Sequence, residues 1–334
     1  MYKPEYWFIS TKYRRHTHLV LLTFTLALAV ILMGAYTRLT NAGLSCPDWP
    51  RCYGFLTAPH TPTQLQAAVT KYPATPIDTK KAWTEMAHRY AAGMEGLLIL
   101  ILSCSILFAK KAKDSQSIIF SLLLMFLLIT QVMLGMLTVT AQLKPIIVLS
   151  HLLIGLSILC MLWWMYLNLH LMPQAITKID CQSLIPWLWL AIAIIAMQIA
   201  LGGWVSTHYA SLACIDFPYC NGEWLPKLDW NNLNTDLITI HMLHRLGAFI
   251  TAGYLGILTI SLLTYPFFRS IAALILALIV LQTTLGVLNI ILLRPLWIAL
   301  IHQAVAILLL LTTLTTLVKA RLSIRDNPYD LHIA

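Results

Sequence analysis

Charged residues are scarce in this chain. They make up only 10% of its 334 residues, whereas 59% are hydrophobic. A soluble domain of this length needs more polar surface than that, so an ordinary globular protein is excluded. Acidic residues are fewer than basic ones, and the net charge of +9 is an ordinary membrane-surface bias that requires no nucleic-acid partner. The composition indicates a protein embedded in lipid.

The chain also lacks a small-residue cleavage site after its first apolar run, although Lys12, Arg14 and Arg15 precede that run as in a signal peptide. We therefore expect the run to be retained as the first membrane helix. Eight runs are long enough to cross a bilayer, which takes about 20 helical residues. They lie near 19–36, 86–109, 117–140, 146–168, 185–206, 237–263, 270–292 and 297–318. The predicted fold class is all-α integral membrane with eight transmembrane helices, and a short surface helix is expected at 62–72.

The two halves of the chain repeat each other. The segment from Gly34 to Gly54 returns from Gly202 to Gly222, with a cysteine pair at the same spacing in each copy. Later echoes follow in the same order: His88-Arg89 and His244-Arg245, Gln131-x-x-x-Gly135 and Gln282-x-x-x-Gly286, His151 and His302. Since each half has an even number of helices, we predict two parallel four-helix-bundle repeats about an axis along the membrane normal. The expected boundaries are an N-terminal half at 1–169, a cytoplasmic linker at 170–184, a C-terminal half at 185–320 and a cytoplasmic tail at 321–334.

Cysteine is limited to seven residues. Three lysines crowd the short loop at 110–113, and the positive-inside rule then places both termini in the cytoplasm and the two large loops outside. Those outer loops hold the repeated cysteines, and disulfides persist on that side of a membrane. We predict the disulfides Cys46–Cys52 and Cys214–Cys220; a zinc site is the alternative, although zinc favours shorter spacings and further ligands. The predicted free thiols are Cys104, Cys160 and Cys181.

Histidine is frequent, with eleven residues. Six lie in loops or tails and are interpreted as solvated: His16, His18, His60, His170, His208 and His332. Five lie in the membrane helices: His88, His151, His241, His244 and His302. A buried imidazole is costly in a bilayer and marks a ligand, a proton path or an interhelical hydrogen bond. All but His241 recur at matched positions near the outer ends of two helices per half, as opposed axial ligands of a haem iron would. Arg89 and Arg245 follow the first histidine of each pair and are candidates either for propionate contacts or for snorkelling to the interface.

Other metal centres fit the sequence less well. A dinuclear site would need carboxylates in each half, and copper would favour methionine or thiolate at matching positions. The membrane carboxylates Glu85 and Glu95 both belong to the first half. Glu85 lies one turn before His88, where the second half has His241, so it is a candidate base, proton donor or cation stabiliser that marks the first half as the reactive one. Glu95 is open between a proton relay and a hydrogen-bonded core residue.

In this order the motifs resemble those of the haem A synthase family, membrane enzymes that oxidise a ring methyl of haem O to the formyl group of haem A for terminal oxidases. The resemblance covers nearly the whole chain. It rests on Gly34-x-x-Thr37-Arg38-Leu39-Thr40-x-x-Gly43-Leu44-Ser45, Glu85-x-x-His88-Arg89, His244-Arg245, and the later histidines His151 and His302. It implies that His244 and His302 hold a haem b cofactor, whose iron is the bound metal. It also implies that His88 and His151 receive haem O, and that Glu85 is the essential acid.

The resemblance further implies a reaction course and partners. The methyl group is expected to be hydroxylated twice and the diol to lose water, with electrons passing through the C-terminal haem from an unidentified quinol or protein donor. Haem O synthase and oxidase assembly factors are the implied partners, in the lipid of a bacterial-type inner membrane. In some members the cysteine pair matching Cys46 and Cys52 takes part in electron or thiol exchange, whereas its duplication here favours a structural staple.

Two other functions stay open from the residues alone. A di-haem b-type membrane electron carrier explains all four matched histidines but leaves Glu85 unexplained. A haem transporter or chaperone fits a parallel repeat and predicts that function survives Glu85→Gln. A homo-oligomer also stays open, because several glycines suit helix packing either inside one chain or between copies. These are Gly135, Gly155, Gly253 and Gly286.

Overall fold

The computed structural model describes residues 16–109, 115–170 and 183–322. This part of the chain contains nine α-helices. They are α1 (Thr17–Leu39), α2 (Pro62–Lys71), α3 (Thr79–Leu107), α4 (Ser115–Thr140), α5 (Pro145–His170), α6 (Leu184–Thr207), α7 (Leu237–Leu263), α8 (Arg269–Ile291) and α9 (Leu296–Leu322). All except α2 are long and apolar enough to cross a membrane. The predicted eight-helix, all-α membrane class is therefore confirmed.

Polar caps decide where two of these helices begin. Helix α3 starts at Thr79, before the apolar run at 86, because the Asp78 carboxylate accepts the backbone N–H of Lys81 at 3.1 Å. The Asp236 carboxylate caps α7 in the same way, accepting the N–H of Thr239 at 3.0 Å. The longer start of α3 brings Glu85 into regular helix, one turn before His88.

The predicted surface helix is present as α2. Its N-cap Thr61 forms a capping box with Gln64, and Pro62 occupies the first helical position, where a missing N–H costs nothing. This helix lies in the long loop between α1 and α3.

Helix contacts divide the described residues into two compact units, and the boundary along the chain falls between Trp163 and Trp164 in α5. In the first unit, α3 packs against α1 and α4. Helix α5 closes it, since the Trp163 ring lies 4.7 Å from that of Phe24 on α1. In the second unit, α6 and α8 each pack against both α7 and α9. The second unit is thus a four-helix bundle, and the first contains α1, α3, α4 and the larger part of α5. The parallel axis and the proposed half, linker and tail boundaries stay predictions, and most of the linker lies outside the described residues.

Both predicted disulfides are present. Cys46 and Cys52 are joined with an S–S distance of 2.06 Å, and Cys214 and Cys220 with one of 1.99 Å. Cys104 and Cys160 are free thiols, as expected, and Cys181 lies outside the described residues. One histidine expectation is wrong: His16 is buried at the start of α1, with 8% of its surface exposed.

The two disulfide loops have the same backbone. Each has a cis proline, Pro50 or Pro218, and each ends on a glycine with a positive φ, 86° at Gly54 and 87° at Gly222, which favours glycine. An aspartate stabilises each turn. In the first loop, the Asp48 carboxylate accepts the N–H groups of Tyr53 and Gly54, at 2.6 and 2.7 Å.

The second loop repeats this turn with Asp216. Its carboxylate accepts the N–H groups of Asn221 and Gly222, at 2.6 and 2.8 Å. The bond from Gly222, with further backbone hydrogen bonds, lowers the pKa of Asp216 below its usual value, so the carboxylate is ionised at neutral pH. The duplicated sequence motif is therefore a duplicated structure.

Candidate histidine sites

Each unit brings its two matched histidines together. His88 on α3 and His151 on α5 lie close enough to interact electrostatically, and so do His244 on α7 and His302 on α9. In the second unit α7 and α9 stand at diagonal corners, because α6 and α8 each pack against both. The imidazoles of His244 and His302 therefore approach each other across the interior of that bundle.

A glycine on a neighbouring helix faces each of the four rings. We measure the closeness as the distance from Cε1 of the ring to a Cβ atom placed on that glycine. It is 3.0 Å for Gly34 and His88, 3.2 Å for Gly135 and His151, 3.1 Å for Gly202 and His244, and 3.3 Å for Gly286 and His302. Ordinary van der Waals contact begins at about 3.4 Å, so a side chain at any of these positions would push on the ring. The glycines therefore make room for the imidazoles.

Three of these rings carry a buried nitrogen with no hydrogen-bond partner among the described residues. The atom is Nδ1 in His88, His151 and His302. An unpartnered polar atom is costly in a bilayer, where no water can replace the missing bond. Neutral imidazoles with unused nitrogens are suitable for holding a haem iron, which would be bound through one nitrogen of each ring. The residues of both pairs thus fit a haem held between two helices.

Glu85 and Arg89 fasten the first disulfide loop to α3. The Glu85 carboxylate accepts the Cys46 N–H at 2.9 Å and pairs with the Arg89 guanidinium. Nη1 of Arg89 donates to three loop carbonyls, at 2.9 Å to Asp48, 3.3 Å to Pro50 and 2.7 Å to Arg51. The Glu85 side chain is buried, with 5% of its surface exposed, and Arg89 is partly buried, with 12% exposed. The loop is therefore held directly above the turn of α3 that carries His88.

The second unit replaces the carboxylate with His241. Arg245 donates to the carbonyls of Tyr219, Cys214 and Asp216 at 2.9, 3.0 and 3.0 Å. The His241 ring lies 3.3 Å from the Cys214 N–H nitrogen and 3.4 Å from Nε of Arg245. A neutral imidazole can accept only one of these two bonds. Glu85 satisfies both donors in its unit, so the two anchors have one shape and different charge.

The family comparison agrees with this arrangement. The profile of the COX15-CtaA family, described as cytochrome oxidase assembly protein, matches residues 17–314. The match spans both units and all four paired histidines. The chain belongs to this family.

Relatives carry the same assignment along most of their length. The chain is 39% identical to a haem A synthase of Shewanella oneidensis over 318 residues, which cover 90% of the chain and 94% of the relative. It is 29% identical to a haem A synthase of Neorickettsia sennetsu over 308 residues, 85% of the chain and 93% of the relative. A haem A synthase of Ehrlichia ruminantium is 28% identical over 312 residues, which cover 84% of the chain and 86% of the relative. With its eight apolar helices, this COX15-CtaA protein is a multi-pass bacterial membrane protein.

Two features of this COX15-CtaA protein are not predicted by its sequence motifs. The first is that both arginines bind the disulfide loops; a propionate contact from either stays a prediction, and a propionate would compete with the loop carbonyls. The second is Gln198, whose amide lies 3.0 Å from Nδ1 of His244. The repeat does contain a sign of its importance, because the matched position in the first half, residue 30, is a valine. Glu95 is partly buried on α3, and its role stays open.

Proposed function

We propose that the chain converts haem O to haem A for cytochrome oxidase assembly, with the substrate in the first unit and a resident haem b in the second. Haem A synthase relatives that cover most of the chain support the activity. The observation that carries the division of labour is a difference in charge between the two anchors: a buried carboxylate at Glu85 and an imidazole at His241.

In the first unit, His88 and His151 would hold the haem O substrate. Glu85 would serve as the acid or base for oxidation of the ring methyl to a formyl group. Its carboxylate is buried and held by a backbone N–H and a guanidinium, which is how a carboxylate is oriented to exchange a proton at a fixed position. The disulfide loop above it would limit the access of water to the reacting methyl group.

In the second unit, His244 and His302 would hold haem b. Bound there, haem b would supply one-electron transfer to the substrate site. No carboxylate stands at its anchor, so the second unit has the ligands without the acid. We propose that the termini lie in the cytoplasm and the disulfide loops outside, that a quinol or a protein donates the electrons, and that haem O synthase and oxidase assembly factors are the partners.

The direct test is haem analysis of the purified protein, expressed with and without a haem O supply. We expect haem b in both preparations and haem A only with haem O. His244→Ala and His302→Ala should lose haem b from the reduced Soret and α bands, whereas His88→Ala and His151→Ala should keep haem b and form no haem A. Haem b without any haem A would indicate an electron carrier, and haem b that survives loss of His244 would refute the division of labour.

The glycine contacts give a second prediction. Gly202→Ala should speed haem b dissociation on the order of tenfold, because the new methyl group must displace the His244 ring. Gly253→Ala on α7 is the matched control, since nothing lies within 4 Å of a Cβ there. The measurement is haem transfer to excess apomyoglobin. Equal rates for the two variants would show that the glycine does not position the ring.

A further inference from the structure

The two histidine pairs differ in what holds the first histidine of each pair. The 168-residue offset between the cysteine motifs aligns Gln198 on α6 with Val30 on α1. The 156-residue offset between the His-Arg motifs aligns Gly247 on α7 with Ala91 on α3. The pair Gln and Gly in the second unit thus stands where the first unit has Val and Ala.

In the second unit, Gln198 binds both the ring and the backbone of His244. Its Nε2 lies 3.0 Å from Nδ1 and 3.0 Å from the carbonyl oxygen of that residue. The amide fits only because residue 247 is glycine: a Cβ there would lie 2.3 Å from Oε1 of Gln198 and 2.9 Å from Cδ1 of Leu201. Gln198 and Gly247 are therefore one device, in which the second residue makes space for the first.

This device suits an iron-bound imidazole. Such a ring bonds iron through one nitrogen and carries a proton on the other, which needs an acceptor. Oε1 of Gln198 is buried without a hydrogen-bond partner among the described residues. A half-turn of the amide exchanges Nε2 and Oε1 at nearly constant shape and brings that acceptor to Nδ1 of His244, in exchange for the bond to the His244 carbonyl oxygen.

The first unit has no counterpart of this contact. The Val30 side chain cannot form a hydrogen bond, and only the backbone of that residue bonds the His88 ring. Nδ1 of His88 is buried without a partner in the described part of the chain. The other nearby amide is shared in sequence, because Gln282, whose Nε2 lies 3.3 Å from Nε2 of His302, is matched by Gln131. In sequence, therefore, the residues behind the first histidine of each pair are the ones that differ.

We propose that Gln198 and Gly247 make His244 a fixed ligand that retains its haem, and that Val30 and Ala91, which supply no side-chain amide, hold His88 less firmly so that its unit takes up and releases haem. Gln198 is a positioning residue, because it acts through His244. The inference rests on the proposed function, in which the second unit keeps haem b and the first exchanges haem O for haem A.

Gln198→Val tests the proposal by importing the residue of the first unit. We expect haem b to dissociate 10–100-fold faster, as for other contacts behind a metal ligand, and the midpoint potential to rise, because a less basic imidazole stabilises ferric iron less. Gln198→Glu should keep the haem and lower the potential, because a carboxylate is a stronger acceptor for the ring N–H. A merely structural role would speed haem loss in both variants and would not move the potential in opposite directions.

Gly247→Ala tests the coupling. Alone, it should displace the Gln198 amide and reproduce the faster haem loss of Gln198→Val. The double variant Gln198→Val/Gly247→Ala carries the pair found in the first unit and should lose haem no faster than Gln198→Val. Additive effects would overturn the idea of a single device. The reciprocal variant Val30→Gln/Ala91→Gly should raise the amount of haem A that remains bound after purification with a haem O supply.

The outcomes separate this inference from the proposed function. Haem b retained by His244→Ala would mean that the division of labour itself is wrong. Haem b lost from His244→Ala, with the rate and potential of Gln198→Val equal to those of the wild type, would overturn only the role of Gln198.

Discussion

Glu85→Gln is expected to reduce haem A formation by at least about 100-fold while the protein keeps its haem b, since general acid-base catalysis contributes about 10²–10⁴. The substitution removes the ability to exchange a proton but leaves an amide of nearly the same shape beside Arg89 and the Cys46 N–H. None of the four paired histidines is altered. The measurement is haem extraction and chromatography from cells that supply haem O, together with the reduced α band of the purified variant.

Glu85→His is a useful second variant, because the second unit already has a histidine at the matched position. Residue 241 is a histidine in the same place, and its ring lies against the Cys214 N–H and Arg245 beneath a disulfide loop of the same backbone. The variant should therefore keep its first loop in place, somewhat less firmly, because an imidazole accepts only one of the two bonds. We expect it to form as little haem A as Glu85→Gln.

One result would contradict a catalytic role. Normal haem A formation in Glu85→Gln would show that the reaction requires no proton exchange at this residue. Activity in Glu85→His alone would agree with proton exchange, because an imidazole is also a general acid or base. Loss of activity in both variants, with haem b and the loop intact, supports proton exchange by the carboxylate.

The repeat explains why so much of this protein can be predicted from one sequence. A residue that is identical at matched positions in both halves has been retained while the halves diverged, which a sequence without a repeat cannot show. The paired histidines and cysteines are recognised in this way. The eight helices follow from the length of the apolar runs alone. The start of α3 was missed by seven residues, because its first turns are polar and depend on the Asp78 cap.

Contacts between distant segments could not be predicted in this way. The bond from Cys46 to Glu85 joins residues 39 apart and requires the disulfide loop to turn its backbone toward α3. The sequence alone suggests a propionate contact or snorkelling for Arg89. Its carbonyl partners cannot be predicted, because they come close to Arg89 only when the disulfide loop is folded. Gln198 cannot be recognised from identities between the halves, because its significance lies in its difference from Val30.

Arg89→Met is expected to destabilise the first unit strongly, and more than Arg245→Met destabilises the second. Each variant loses three bonds from a guanidinium to loop carbonyls. Only Arg89→Met also strands a buried carboxylate, and removing one partner of a buried ion pair costs about 3–5 kcal/mol. His241 can be neutral, so Arg245→Met leaves no charge behind. The measurement is the Tm of the purified protein in detergent, with the rate of thiol alkylation under mild reduction reporting on each loop.

The double variant Glu85→Gln/Arg89→Met identifies the cause. If the stranded charge dominates, neutralising Glu85 should recover most of the Tm lost in Arg89→Met, although three loop bonds are still missing. If the loop bonds dominate, the double variant should be as unstable as Arg89→Met, and Arg245→Met should match both. Recovery in the double variant would mean that the main role of Arg89 is to stabilise the charged Glu85 carboxylate in an apolar bundle. The second unit has His241 at that position and no buried carboxylate to stabilise.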